Sequence, residues 1–446
     1  MTENSTDRSD RTAGSTAPAS AGPESAGPEG TGHPSRSGLT RRRALGLGVG
    51  TAAVAGASGL VGAAPASADG AATSGTTGTR GTAAAVDAAA LRRSMTGLAV
   101  RGADISFTLQ EEAAGTRYRV GGRVRPIERI LADAGATWVR LRVWVDPPEG
   151  YSTLADAIVL ARRAIRQGLQ VLVDFHLSDF WADPGKQVTP AAWVGLDLEQ
   201  LSDRVRSYLA SSVRRMIAAG AAPSMVAVGN EITPGILFPL GQLYPTDAPQ
   251  NWTGFTTLLK AGLDGVALAG GRKIPTMVHI DRGGDNGGSR WFYDHLVDFG
   301  VRWDVIGLSY YPFWHGPLDQ MAANVADLQT RYGKPVVLAE TAYPWTLADG
   351  DDEPNILADL SALPDATHFP PTPAGQVAYF EALRGALLSV PGGGSAGFFD
   401  WEPGWLPGVG WEPGAGNPND NLTMFDFAGQ ALPSLAAFRR PRRARG

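Results

Sequence analysis

Residues 137–176 read, in succession, TWVRLRVWV, DPPEGYST, LADAIVLARRAIRQG and LQVLVDFH. The first and last runs are short, apolar and β-branched, the pattern of strands buried on both faces. Between them lies a turn-rich bridge and then a segment with apolar residues at helical spacing. That segment stops at Gly168, the residue type that most readily closes a helix. A strand, a helix and a second strand of this kind form the unit of a parallel α/β sheet.

The same rhythm extends in both directions. Further strand-like runs are GLAVRGADIS (97–106), MVAVGNEI (225–232), KIPTMVHID (273–281), WDVIGLSYYP (303–312), KPVVLAETAY (334–343) and GGSAGFFDWEP (393–403). Amphipathic stretches separate them, among them PIERILADAGA (126–136), LSDRVRSYLASSVRRMIAAG (201–220) and PLDQMAANVADLQTRYG (317–333). Eight strands alternating with helices over about 340 residues favour a closed (β/α)8 TIM barrel over an open doubly wound sheet. The expected catalytic domain spans residues 96–440.

Residues 1–40 are polar and Gly/Pro/Ser-rich, with too few large apolar side chains to offset ordering by burial. Arg41–Arg43, a weakly apolar Ala/Gly/Leu/Val stretch and Ala66-Ser67-Ala68 then read as a twin-arginine export signal cleaved after Ala68. The expected product is secreted, with residues 1–68 removed, residues 69–95 a flexible linker, and no membrane attachment after export. Gly48, Gly50 and Ala53 match a dinucleotide-loop pattern, but no strand precedes them. The chain has no cysteine, which excludes disulfides, thiolate metal sites and a cysteine nucleophile. A net charge of −5 gives no footprint for nucleic acid.

In a (β/α)8 barrel the working residues stand where strands run out into the following loops. Read so, strand ends present Asp104; Arg140, Arg142 and Trp144; His176, Asp179 and Trp181; Asn230 and Glu231; His279 and Asp281; Tyr310, Tyr311, Trp314 and His315; Glu340 and Tyr343; and Asp400, Trp401 and Glu402. Any one of these is explained by a strand meeting solvent. That explanation is strained by seven tryptophans at or just after strand ends: Trp144, Trp181, Trp314, Trp345, Trp401, Trp405 and Trp411. Aromatic faces beside carboxylates, amides and imidazoles suit a sugar, whose rings have apolar faces and hydroxyl edges.

Glu231 and Glu340 close strands four and seven, which lie across the barrel mouth from each other. Carboxyls about 5 Å apart would attack an anomeric carbon and protonate the leaving oxygen with retention, whereas about 8 Å would imply inversion. The acid needs burial and a neighbouring negative charge to keep its proton. The nucleophile needs donors, for which Tyr310 and Arg142 are candidates.

WVRLRVW (138–144), VLVDFHLSDFWADPGKQ (171–187), MVAVGNEITPG (225–235), DVIGLSYYPFWHG (304–316), LAETAYPW (338–345) and FFDWEP (398–403) together resemble glycoside hydrolase family 53, the arabinogalactan endo-β-1,4-galactanases of the clan A retaining hydrolases. The likeness runs in order from about residue 97 to 437. It implies a (β/α)8 enzyme with Glu231 as acid/base and Glu340 as nucleophile. It also implies that Asn230 contacts the 2-hydroxyl of the reacting sugar and that Tyr310 hydrogen-bonds the nucleophile. Arg142, His176, Trp314 and Trp401 would line neighbouring subsites. The implied partner is a galactan or arabinogalactan polysaccharide, with no organic cofactor and a monomeric chain. Some bacterial members tie their last loops with calcium. Here the implied ligands are Asp349, Asp351, Asn355 and the backbone oxygen of Glu353, although Pro354 interrupts the alternate spacing.

Other signals are weaker. Gly393-Gly-Ser395-Ala-Gly397 fits a serine-hydrolase pattern but precedes a strand instead of joining strand to helix. His176, His279 and His315 invite a metal hydrolase, yet the first strand lacks the histidine pair that class uses. Asn251 and Asn421 sit in glycosylation sequons that a bacterial-type export signal makes irrelevant. Two rivals remain: a clan A hydrolase of mannan or cellulose, and a binding barrel without turnover. Possession of both glutamates argues against the second.

Overall fold

The structure, a computed structural model, describes residues 88–441 apart from 270–272 and 413. The expected export signal and the dinucleotide-like glycines lie outside the described residues. Eight parallel strands close into a barrel: β1 (Val100–Asp104), β2 (Trp138–Val143), β3 (Gln170–Phe175), β4 (Met225–Val228), β5 (Thr276–Ile280), β6 (Val305–Ser309), β7 (Val336–Thr341) and β8 (Gly397–Asp400). Each pairs with its chain neighbours, and β8 pairs with β1 to close the ring. The main helices between them are α1 (Ile127–Ala134), α2 (Leu154–Arg166), α3 (Leu198–Ala218), α4 (Trp252–Leu268), α5 (Asn286–Asp298), α6 (Leu318–Tyr332) and α7 (Pro373–Leu388).

Local chemistry sets where these helices start and stop. Thr153 and Asp197 begin α2 and α3 with reciprocal capping boxes, to Asp156 and Gln200 respectively. Gly135 closes α1 in the left-handed conformation at φ 102°, and Gly333 does the same for α6 at φ 60°.

Alternation along the strands divides the core in two. One set (Val139, Leu141, Val173, Val226, Val228, Val278, Ile306, Leu308 and Leu338) faces the helical layer. The opposite set (Val100, Trp138, Leu172, Met225, Met277, Val305, Val337 and Phe399) fills the lower barrel. Gly102 belongs to this interior, because a Cβ there would stand 2.3 Å from the Phe399 ring. Higher in the barrel the inward positions turn polar: Asp104, Arg140, Asp174, His279 and Ser309, all buried.

One irregularity decides the site. Register shifts on both flanks of β7, between Leu338 and Glu340 against β6 and between Leu338 and Thr341 against β8. The extra residue is a bulge. Strict alternation from inward Val337 and Ala339 would send Glu340 out to the helices, and the bulge instead turns it to the barrel mouth.

One expectation is corrected. The assumed linker 69–95 includes a helix, Ala88–Ser94, whose Leu91 packs with Met95 against the lower-barrel cluster. An Ala-rich composition reads as a linker, but alanine is also the strongest helix former, and here two apolar side chains anchor it.

Candidate active site

The strand C-termini open into a cleft of about 530 Å³. Its lining includes Arg140, Arg142, His176, Asn230, Glu231, Tyr311, Trp314, Glu340 and Trp401. The two glutamates meet there: one carboxylate oxygen of each, with a ring nitrogen of His279, lie within 4.8 Å of one another. Glu231 follows β4 after Gly229 and takes a left-handed backbone at φ 47°. For a non-glycine residue that costs about 1 kcal/mol, and such strain concentrates at functional sites.

The two carboxyls have different surroundings. Glu340 Oε1 accepts from Arg140 Nη2 at 2.8 Å, and Oε2 accepts from the Tyr311 hydroxyl at 2.9 Å. Burial raises the Glu340 carboxyl, while the Arg140 charge and the Tyr311 hydrogen bond oppose that rise. Among the described residues, Glu231 has no such cation in contact. Burial, then the negative charge of Glu340, push its carboxyl well above the usual range. Glu340 is therefore the partner that ionises first, and Glu231 the one that keeps its proton.

Beneath them Arg140 joins the floor of the site. It donates to Asp104 at 2.7 Å, to Asn230 Oδ1 at 2.8 Å and to Asp174. Burial raises Asp174 to about 6 against the pull of Arg140. Asn230 Nδ2 donates to the Ala182 carbonyl at 2.8 Å, which fixes the amide. His176 accepts at Nδ1 from Trp144 and from the Ala182 amide, and its Nε2 has no partner among the described residues. Burial and the nearby arginines keep that ring neutral. The Arg142 guanidinium lies 4.1 Å over the Trp181 ring and donates to Glu402 at 3.2 Å, and its Nη2 has no partner among the described residues.

Two expected donors to Glu340 are replaced. The Tyr310 hydroxyl donates to the Gly316 carbonyl at 2.7 Å, so the adjacent Tyr311 reaches the carboxylate instead. Arg142 is held by Glu402, and Arg140, one inward position lower on β2, makes the ion pair. The tryptophans also divide. Trp181, Trp314, Trp401 and Trp411 line the cleft, whereas Trp144 and Trp405 are fully buried beneath it and Trp345 packs on Phe427. Asp104 was expected at the end of the first strand, whereas Asp174 and Ser309 were legible only as polar residues in apolar runs.

Carboxylate oxygens of Asp349, Asp351 and Asp420 lie within 4.8 Å of one another. Of the expected ligands, Asp349 and Asp351 are in this group. Asn355 adjoins it, donating from Nδ2 to Asp420 Oδ1 at 2.9 Å, and its buried Oδ1 has no partner among the described residues. Glu353 touches the group through its backbone N–H, which donates to Asp351 at 2.9 Å. Asp420 was not foreseen, because it comes from the loop after β8.

The chain as a whole is similar to known proteins. A family model described as "Glycosyl hydrolase family 53" matches residues 100–438. The arabinogalactan endo-beta-1,4-galactanase of Humicola insolens is 36% identical over 351 residues, covering 77% of this chain and 99% of the relative. The endo-beta-1,4-galactanase of Bacillus subtilis is 32% identical over 381 residues, covering 76% and 85%. Among solved structures, the Ignisphaera aggregans GH53 catalytic domain superposes with a TM-score of 0.72 at 37% identity, covering 76% of this chain and 95% of that one.

Proposed function

The chain belongs to glycosyl hydrolase family 53, and from that premise and its cleft we propose that it cleaves internal β-1,4-galactosidic bonds of galactan with retention of configuration. It is a glycoside hydrolase. The observation that carries the finer reading is the approach of one Glu231 oxygen and one Glu340 oxygen within 4.8 Å, nearer the roughly 5–5.5 Å of retaining pairs than the roughly 6.5–9.5 Å of inverting ones.

In the first step a Glu340 oxygen bonds to the anomeric carbon as the glycosidic C–O bond breaks, and Glu231 gives its proton to the departing oxygen. In the second, Glu231, now a carboxylate, takes a proton from water as that water displaces Glu340. Arg140 and Tyr311 stabilise the Glu340 carboxylate before and after. Asn230, whose carbonyl is fixed by Arg140, has a second Nδ2 hydrogen to offer a sugar hydroxyl. Arg142 and His176 also line the cleft, and their buried Nη2 and Nε2 atoms have no partner among the described residues. Trp181, Trp314, Trp401 and Trp411 supply ring faces for neighbouring sugars.

The Asp349–Asp351–Asp420 group, with the spare oxygen of Asn355, is an all-oxygen donor set suited to calcium. A bound ion would offset two of the three clustered negative charges and tie the loop after β7 to that after β8. Export and a monomeric state fit the sequence reading, and among the described residues no helix is long and apolar enough to cross a membrane.

The test is a polysaccharide panel with stereochemical readout. The protein should release short β-galacto-oligosaccharides from β-1,4-galactan, with the new reducing end formed as the β-anomer, and little from mannan or carboxymethylcellulose. Preference for mannan or cellulose, or an α-anomeric product, would sink the reading.

A further inference from the structure

A second groove, of about 850 Å³, shares no lining residue with the cleft. One wall is a hairpin in the loop after β1, Arg119–Val120 against Arg123–Val124, so it belongs to the end of the barrel that opens into the cleft. The other walls come from α1 and the C-terminal turn Pro433–Phe438. Backbone contacts fix the hairpin. The Arg119 amide donates to the Gly429 carbonyl at 2.8 Å, and the Arg119 carbonyl accepts from the Ala431 amide at 2.8 Å. Gly429 has φ 77°, and a Cβ there would stand 2.6 Å from the Arg117 carbonyl, so this approach requires glycine.

The groove carries the opposite charge to the chain. Residues 117–129 hold five arginines (Arg117, Arg119, Arg123, Arg125 and Arg129) and residues 439–446 hold five more, in a chain of net −5. The acids beside the first set are already paired. Glu128 meets Arg163 at 2.7 Å, and Asp133 is shared by Arg129 at 2.9 Å and Arg125 at 3.5 Å. Arg123 and Arg439 line the groove, are exposed, and have no carboxylate partner among the described residues. Ile130, Leu432 and Leu435 add apolar lining between the arginines.

We propose that this groove binds the carboxylates of an acidic, uronate-containing polysaccharide and so recruits the enzyme to galactan attached to one. The inference rests on the galactan reading of the cleft. β-1,4-Galactan is itself neutral, but in plant cell walls it branches from a galacturonate-bearing backbone. A guanidinium matches a carboxylate with two parallel hydrogen bonds. Apolar side chains between arginines suit sugar ring faces that bear carboxylates. Nucleic acid fits less well, because no aromatic side chain lines the groove to stack a base. A flat bilayer cannot enter a concave wall. Holding the acidic backbone here raises the local concentration of its galactan branches at the cleft without touching the reacting groups.

The experiment measures binding of polygalacturonate to wild type and to Arg123→Ala/Arg439→Ala. Arg204→Ala/Arg302→Ala serves as a control that removes the same charge from other exposed positions. Kinetics are run on isolated β-1,4-galactan and on galactan still attached to its rhamnogalacturonan backbone, with thermal melts to establish folding. The wild type should bind polygalacturonate, and at least about tenfold more weakly when NaCl rises from about 0.05 to 0.5 M. Arg123→Ala/Arg439→Ala should lose about tenfold in affinity. Its KM on the attached galactan should rise about threefold or more at unchanged kcat, with no change on isolated galactan. The control should behave as wild type. Failure of the wild type to bind, an equal loss in the control, or tighter binding to double-stranded DNA or phosphatidylglycerol vesicles overturns the proposal. Binding is read without turnover, so a wild type inert on isolated galactan would instead overturn the galactan reading.

Discussion

Arg140 faces Asp104, Asp174 and Glu340 together, so this buried floor holds more negative than positive groups. Each carboxylate there depends on its remaining donors, which makes single hydroxyls consequential. Tyr311→Phe removes one of the two donors to Glu340 and is expected to lower kcat on galactan about tenfold or more. Tyr310→Phe, which frees only the Gly316 carbonyl, should stay within about threefold. Steady-state kinetics of the pair checks this, and a reversed order would reject the assignment of the donor to Tyr311. Adjacent tyrosines show why this level of detail was out of reach from residue order alone. Both lie past a strand end, and only the chain path into the short helix Pro312–His315 decides which hydroxyl turns inward.

Among the elements, β7 and its loop carry the most. The bulge at Ala339–Glu340 converts an outward position into a cleft position, and the following loop brings Asp349 and Asp351 to Asp420. With calcium bound, that ion stabilises the folded chain by mass action. Chelation with EDTA is therefore expected to lower Tm by several degrees, and added Ca2+ to restore it. Asp420→Ala should melt low and no longer respond to either treatment. An unchanged wild-type melting curve under chelation would argue that these carboxylates are simply hydrogen-bonded. They are well engaged already: Asp351 accepts from the Gly408 and Asn417 amides, and Asp420 from Gly350 and Asn355. The pairing across some 70 residues has no local signature, so the family resemblance pointed only to the loop after β7 and not to Asp420.

At the scale of the whole molecule, stability should depend on pH through acids buried outside the cleft. Glu111 joins the first βα loop to the last, accepting from the Leu406 amide at 2.9 Å and from Thr116 at 2.6 Å. Burial pushes its carboxyl up to about 8. The folded chain thus holds a proton that the unfolded chain releases near its ordinary value. The stabilisation this gives is complete below about 4.5 and is lost as pH rises through 8. Glu111→Gln is expected to destabilise at pH 5, where it disturbs two hydrogen bonds, and to lose several degrees less Tm at pH 8.5. Parallel melts of the two proteins measure it, and a pH-independent difference would show that Glu111 does not titrate in that range.

The sequence by itself determined the eight-strand count, the alternation with helices, the glycine stops and the strand ends that carry Glu231 and Glu340, because these are periodic or local properties of the chain. Tertiary structure alone decided which polar residues touch. It turned Glu340 inward through a bulge, gave that carboxylate Arg140 and Tyr311 in place of Arg142 and Tyr310, and aligned Ser309, His279 and Asp174 from three strands. The reason is physical. Periodicity of two fixes which side a residue faces only while register is regular, and contacts between strands depend on barrel stagger and loop path, which no single segment encodes.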